Sequence, residues 1–489
     1  MKLKKLMEEI KTVSEMNSET ANLIVTGIAD SSDSVSQGHI FVAINGFNQD
    51  GHQFIQEAIE KGACLIIGES EITGLTVPYL QVDSSRKALG ILANKFYGTP
   101  SNHKLMIGIT GTNGKTTTSY ILKHILENNG KSCSLIGTIQ NVINGQVKKS
   151  TNTTPSSLDL HGLISESKDE VVIVEVSSHG LSQYRVQGIT FDLCLFTNLE
   201  HEHLDYHPTI EDYFQTKMLL FDHLKEGGQA IVNTDNHWGK RLVKILQGRG
   251  INVNSIGQSS NNKFKILDFN FKNSNLSVED GDEANLIFSP MYGIHNMYNT
   301  LMAYVSARLV GLGEDSIIEC ISNFRGVEGR FEKTKLSNGA IIVVDYAHTS
   351  ESILHCLTTA KQYGAKRVIH IFGFRGNRDQ SKRQEMLTVT SGTSDQYILT
   401  MDDLNSVPQN EMIETLKSLN NLYGNEKGLI IPDRTLAIKW AIEHSNPEDW
   451  IIITGKGHET YQQNYRLQTN SDKETVLYFS NKKKHSRSN

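Results

Sequence analysis

Apolar and polar positions along the 489-residue chain repeat one unit: a short apolar run, a polar turn, then a stretch of helical period. The runs at 105–109, 171–174 and 193–196 lack the alternation of a half-exposed strand. Continuous runs of this length suit strands covered on both faces, as in a parallel sheet with helices on either side. Residues 119–127 read as the helix after the first run. Past Arg330 the rhythm restarts, with strands expected at 341–344, 368–372, 397–399 and 451–453. Ahead of both series lies a smaller unit, with a strand over 39–44, a helix over 54–61 and a strand over 63–68. Turn-rich Tyr97-Gly98-Thr99-Pro100-Ser101 closes it. The segment 257–289 is polar and aperiodic and is expected to be irregular or antiparallel. A chain of this length exceeds one core. The pattern predicts an α/β protein of three domains: an N-terminal α/β unit (1–100), a central doubly wound phosphate-loop domain (101–329) and a C-terminal Rossmann-like α/β domain (330–489).

The turn after the first run carries the chemistry. Gly111-Thr112-Asn113-Gly114-Lys115-Thr116-Thr117 joins strand to helix. Glycines let the backbone aim several N–H groups at one anion, and the helix adds its positive end. Lys115 then supplies a cation to the β/γ-phosphates, and the Thr116 hydroxyl a ligand for Mg²⁺. Position 109 is Ile rather than the glycine of the strict phosphate-loop spacing, which leaves a plain glycine turn as the alternative. Two further runs end in Glu175 and in the polar series up to His203. Sites in open α/β sheets gather beyond the carboxyl ends of strands, so Glu175 and His203 are expected in one crevice with the phosphate loop.

Composition narrows the class. A net charge of −6 argues against a general nucleic-acid binder, and the basic cluster 482–487 reads as a solvated end. No apolar run reaches membrane-spanning length. Five scattered cysteines, odd in number, suggest reduced thiols in a cytoplasmic protein.

The ordered motifs resemble those of the Mur ligases: the phosphate loop, Glu175-Val176-Ser177-Ser178-His179, Thr197-Asn198 with His203-Leu204-Asp205, Tyr292 to Asn299, Gly329-Arg330, Asp345-Tyr346-Ala347-His348, Asp433-Arg434 and Gly455-Lys456-Gly457-His458-Glu459. The resemblance spans nearly the whole chain and points to the branch adding the third residue of the peptidoglycan stem peptide. It implies an ATP- and Mg²⁺-dependent amide ligase, a monomer without nucleic-acid or membrane partners. Its partners would be a UDP-N-acetylmuramoyl dipeptide and a free amino acid, joined through an acyl phosphate. It further implies that Lys217 is carbamylated by CO₂ and, with Glu175 and His203, ligates metal. Ser31, Thr153, Thr154, Ser177, Gln183 and Arg185 would contact the UDP-substrate. Asn296 and Asn299 would lie on the adenine side, with Arg330 and Asp345 toward phosphate and ribose. Arg383, Asp402, Asp403, Asn405, Gly455 and Glu459 would hold the amino acid.

Two departures stand out. Asp30-Ser31-Ser32 lacks the family's arginine at its third place, and Asp402-Asp403-Leu404-Asn405 stands where enzymes using meso-diaminopimelate carry Asp-Asn-Pro-Arg. A pocket lined by Asp402, Asp403 and Glu459 without that arginine is expected to favour L-lysine over meso-diaminopimelate. Two rival readings stay open: a relative acting on another carboxylate outside wall synthesis, and a phosphate-loop ATPase without ligase activity.

Overall fold

The computed structural model describes residues 1–13, 16–46, 49–202, 206–281, 283–377 and 380–485. They pack as two units, Met1–Lys265 with Met302–Gly313, and Ile266–Leu301 with Glu314–Asn489.

The first unit holds two sheets. The smaller is parallel, ordered β1 (Gly27–Ala29), β2 (His39–Val42), β3 (Leu65–Gly68) and β4 (Tyr79–Gln81). Alternate residues of β2 face two cores: Ile40 and Val42 one, Phe41 the other. The larger sheet is built on β5 (Leu105–Thr110), β6 (Cys133–Ile136), β7 (Gln140–Ile143), β8 (Gln146–Lys149), β9 (Val171–Glu175), β10 (Phe191–Phe196), β11 (Leu224–Asn233) and β12 (Asn252–Gly257). Its order is β12-β11-β10-β5-β9-β6-β7-β8, parallel from β12 to β6, with β7 and β8 turned back as an antiparallel edge. The order reverses direction around β5, which lies between β9 and β10. That switch point opens a crevice beyond the strand ends. The first residues of β13 (Phe264–Asn270) pair with β12.

In the second unit, β14 (Asn275–Asp280) and β15 (Glu283–Phe288) form an antiparallel pair, as the aperiodic segment suggested. A six-stranded sheet follows: β16 (Glu332–Lys335), β17 (Ile341–Val344), β18 (Arg367–Phe374), β19 (Gln396–Met401), β20 (Gly428–Ile430) and β21 (Asp449–Ile453), ordered β16-β17-β21-β18-β19-β20. Only β16 is antiparallel. Each face carries its own core: Val343 and Ile452 contribute to one, Ile342 and Ile451 to the other. Both faces are apolar because helices cover both, which is why the sequence shows unbroken runs.

Candidate active site

The phosphate loop leaves β5 at Gly111, whose φ of +143° would strain any side chain. A Cβ there would also sit 1.9 Å from Thr197 Oγ1. Gly114, at φ +87°, opens the helix Lys115–Asn128, and no side chain caps that end. The N–H groups that open such a helix point toward an anion bound at the loop. Thr197 and Asn198, just past β10, shape the loop. Thr112 N donates to Asn198 O at 3.0 Å and Asn113 N to Asn198 Oδ1 at 2.9 Å, while Thr197 Oγ1 donates to Asn113 O at 2.6 Å. Lys115 Nζ donates to the carbonyls of Gly111 (2.6 Å) and Thr112 (2.9 Å). Thr117, in the first turn of that helix, is buried.

Glu175, the last residue of β9, is fully buried. It accepts from Thr116 Oγ1 at 2.8 Å, Thr138 Oγ1 at 2.7 Å and Ser119 Oγ at 3.2 Å. Among the described residues no cation pairs with it, and a buried carboxylate served only by neutral hydroxyls is an expensive arrangement. An all-oxygen donor set around such a charge fits a hard divalent cation. Thr138 and Ser119 escaped the sequence reading because only the fold brings them to Glu175.

Lys217 is 1% exposed on the helix Ile210–Met218, far from the surface position that a lone lysine suggests. Its Nζ donates to Gly111 O at 2.9 Å and lies 4.4 Å from the Tyr213 ring centre. Burial, then the charge of Lys115, pushes its pKa well below the ordinary lysine range. A neutral amine is the form that adds to CO₂. His203 lies outside the described residues.

The next group gathers beside Glu175. Thr153 Oγ1 meets Thr138 Oγ1 at 3.1 Å, and Thr154 Oγ1 donates to Glu175 O at 3.0 Å. Ser177 N donates to Thr154 Oγ1 at 2.9 Å. Arg185 donates to Thr154 O (2.6 Å) and Gln183 Oε1 (2.9 Å), which holds its fork in place. Ser31 starts a short turn of helix and is exposed. Its neighbours Asp30 and Ser34 line a cavity of about 580 Å³ together with Pro155, Ser156 and Asp159. Burial raises the Asp30 carboxyl, with Asp159 adding and Arg86 opposing. Arg86, missed in the sequence, thus lies near the place left without an arginine at Ser32.

In the second unit, Asn296 Nδ2 donates to Tyr292 O at 2.7 Å and Asn299 Nδ2 to Asn296 Oδ1 at 3.2 Å. Asp345 accepts from Phe331 N (2.6 Å) and Ala347 N (2.7 Å), and Arg330 stacks 4.6 Å over Tyr346. Burial pushes the Asp345 carboxyl up against the pull of Arg330. Arg383 is 7% exposed and donates to Arg375 O at 3.1 Å. Asn405 spends its amide on Gly376 O at 2.9 Å, tying two loops together.

The acids expected to repel a second carboxylate are not alone. Lys456 Nζ donates to Asp403 Oδ1 at 2.6 Å and stands 3.8 Å from Asp402 and 4.0 Å from Glu459. Arg375 pairs with Glu459, reaches 3.8 Å from Asp402 and donates to Gly455 O at 3.2 Å. Three carboxylates face two cations that the charge argument had left out. The premise for excluding a distal carboxylate is therefore gone.

Fold and site define an α/β phosphate-loop enzyme with an oxygen-lined, metal-suited crevice at a topological switch point. Three family models match the sequence: "Mur ligase family, catalytic domain" over 24–97, "Mur ligase middle domain" over 109–307 and "Mur ligase, glutamate ligase domain" over 329–457. A relative in Caldanaerobacter subterraneus subsp. tengcongensis is 35% identical over 472 residues, covering 94% of this chain and 95% of its own. One in Aquifex aeolicus is 38% identical over 447 residues, 90% of each. Both are named UDP-N-acetylmuramoyl-L-alanyl-D-glutamate–2,6-diaminopimelate ligase. A solved structure under the same name aligns over 99% of this chain and 100% of its own, with TM-score 0.71 and 24% identity, a likeness of fold. The chain belongs to the Mur ligase family, the ATP-dependent ligases of peptidoglycan synthesis. The expected preference for lysine finds no support: these relatives are named for 2,6-diaminopimelate. Among the described residues no helix is long and apolar enough to cross a membrane.

Proposed function

We propose that this chain joins 2,6-diaminopimelate to UDP-N-acetylmuramoyl-L-alanyl-D-glutamate, with ATP converted to ADP and phosphate. Residues 1–100 would take the UDP end, 101–329 the phosphates and acceptor carboxylate, and 330–489 the amino acid. The observation that carries the reading is Glu175, a buried carboxylate without a cationic partner among the described residues, hydrogen-bonded to Thr116 of the phosphate loop. That arrangement suits Mg²⁺ bound beside a nucleotide's phosphates.

Lys115 and the N–H groups opening its helix hold the β/γ-phosphates. Thr116 and Glu175, with His203 and Lys217 as its carbamate, would hold Mg²⁺, which neutralises charge on the transferring phosphoryl group. Carbamylation turns a cation that repels metal into an anionic oxygen ligand, and the buried, readily neutral Lys217 is suited to it. Thr153, Thr154, Ser177, Gln183 and Arg185, with Ser31 at the UDP end, orient the acceptor so that its carboxylate takes the phosphoryl group. Asn296, Asn299, Arg330 and Asp345 serve the nucleoside side. The amine of the incoming diamino acid, held by Arg383, Asp402, Asp403, Gly455 and Glu459, attacks the resulting acyl phosphate and releases phosphate.

The test is phosphate release with ATP, Mg²⁺ and the UDP-muramoyl dipeptide against a panel of amino acids. Release that requires both the dipeptide and 2,6-diaminopimelate supports the reading. Release without any amino acid and without an amide product would return the chain to a simple ATPase, and activity only with other acceptor carboxylates would place it outside wall synthesis.

A further inference from the structure

The loop that lacks an arginine at Asn405 is hydrogen-bonded to one that carries an arginine at its start. Residue 375 follows Phe374, the last residue of β18, so the same strand-end rule that selects Glu175 selects it. Three residues of the expected amino-acid pocket surround its guanidinium. Nη2 donates to Glu459 and to the Gly455 carbonyl, and Nε lies 3.8 Å from Asp402. Those contacts use only part of the fork. Arg375 Nε is buried and has no hydrogen-bond partner among the described residues, while the side chain keeps 24% of its surface open. The guanidinium therefore retains N–H donors in a pocket that also presents Asp402 and Glu459.

The surroundings hold that charge in place. Burial works against the guanidinium, but Asp402 and Glu459 more than offset it. Gly455, at φ +108°, leaves the approach open, since a Cβ there would come within 2.8 Å of Asp402 Oδ2. One end of the pocket thus offers both signs of charge within a few ångströms. A bare ammonium needs only the acids. A zwitterionic head, carrying an ammonium and a carboxylate on one carbon, uses acids and arginine together. An arginine fork suits a carboxylate better than a point charge does, because it offers parallel donors in a fixed plane.

We propose that Arg375 binds the distal carboxylate of the incoming diamino acid, the task that the missing arginine at 405 leaves open, and so makes this chain select a two-headed substrate over lysine. The inference rests on the function proposed above. Asp402 and Glu459 take the distal ammonium in the same arrangement. Arg383, whose exposed surface is also small, stays with the carboxylate next to the reacting amine.

The test measures kcat/KM for meso-diaminopimelate, its distal monoamide and L-lysine in the full-length wild type, Arg375→Ala and Arg375→Lys. The wild type should prefer meso-diaminopimelate, and Arg375→Ala should lose about 30-fold or more on it, mainly through KM, as expected for a truncated charge pair. Lysine and the monoamide should change by less than about threefold, and KM for ATP should hold. Arg375→Lys should fall between, keeping the charge without the fork. Equal losses on all three amino acids would make Arg375 a scaffold residue and overturn the inference alone, as would an Arg375→Ala variant that still prefers the diacid. A wild type that turns over lysine but not meso-diaminopimelate overturns both this inference and the proposed amino acid. A wild type that makes no amide from the dipeptide with any amino acid overturns the proposed function, and this inference with it.

Discussion

Lys115 and Lys217 donate to the same carbonyl oxygen, that of Gly111, at 2.6 and 2.9 Å. Two ammonium groups so close repel, and burial together with the Lys115 charge lowers the pKa of Lys217. Under the function proposed here the two would divide labour, Lys115 toward phosphate and Lys217 as an amine open to CO₂. Lys115→Ala should lower phosphate release by about 100-fold or more, the scale for removing one electrostatic stabiliser of a transition state. Lys217→Ala should fall as far and recover in part with acetate or formate, which supply the missing oxygen ligand; Lys217→Arg should not recover. A fully active Lys217→Ala, or one indifferent to added carboxylates, would remove the carbamate from the mechanism. A third residue, His370, predicts the acid stability of the second unit. It is fully buried between Thr390 Oγ1 (3.1 Å) and Thr454 Oγ1 (2.9 Å), and burial lowers its pKa to about 3. An unfolded histidine binds its proton near pH 6.5, so the unfolded chain takes up a proton that the fold refuses. Stability is full above that pH and falls as the pH drops toward 3, by about 1.4 kcal/mol per unit for this residue alone. Urea titrations at pH 7, 6 and 5 should show that slope, and His370→Gln should flatten it by about one proton; an unchanged slope would mean that His370 titrates normally.

Strands rather than loops carry the legible part of the fold. The runs at 171–174 and 341–344 mark β9 and β17 almost to the residue, because unbroken burial leaves an unbroken apolar signature. The run ending at 372 stops short of β18, which continues through Gly373 and Phe374. Arg375 follows that end directly, in a polar stretch where the sequence singled out no one residue for a role. β7 and β8 escaped because an edge hairpin with an exposed, lysine-bearing strand gives no such signature. Lys456 lay in a recognised motif, but its charge was not counted because partners in a sheet of this order are distant in sequence: it meets Asp403 across 53 positions. The position of Glu175 was legible because it ends an unbroken apolar run, and that of the phosphate loop between strand and helix because glycines at such a junction demand a backbone reason. That reason predicts an outcome at the element scale. Gly111→Ala places a Cβ at φ +143° and 1.9 Å from Thr197 Oγ1, so the loop must move off the β10 end that shapes it. Nucleotide binding followed by calorimetry should weaken at least about tenfold, while far-ultraviolet circular dichroism stays native, because backbone strain of this kind costs about 1–3 kcal/mol locally. Wild-type affinity in that variant would show that the loop geometry is not what holds the phosphates.

The five cysteines offer a readout of the whole molecule, because none is in a disulfide and they divide between the units. Cys133 and Cys194 lie in the first unit, Cys356 in the second, and all three are buried. Burial raises each of these thiols, so little thiolate exists in the native state and labelling must wait for opening. When reclosing outruns labelling, the rate follows the opening equilibrium of the unit that contains the thiol. A ligand bound to the closed form at 100 times its Kd lowers that equilibrium about 100-fold, or about 2.7 kcal/mol. Every residue proposed for the UDP-muramoyl dipeptide belongs to the first unit, and every residue proposed for the amino acid to the second. The dipeptide should therefore slow labelling of Cys133 and Cys194, and 2,6-diaminopimelate that of Cys356, each by up to that factor, as read by peptide mass spectrometry. At the same ligand concentration Arg375→Ala should cut the second effect to about fourfold or less and leave the first. Protection of Cys194 by 2,6-diaminopimelate as strong as that of Cys356 would show that the amino acid is not held by the second unit alone. The proposed division of substrates between the units would then be wrong.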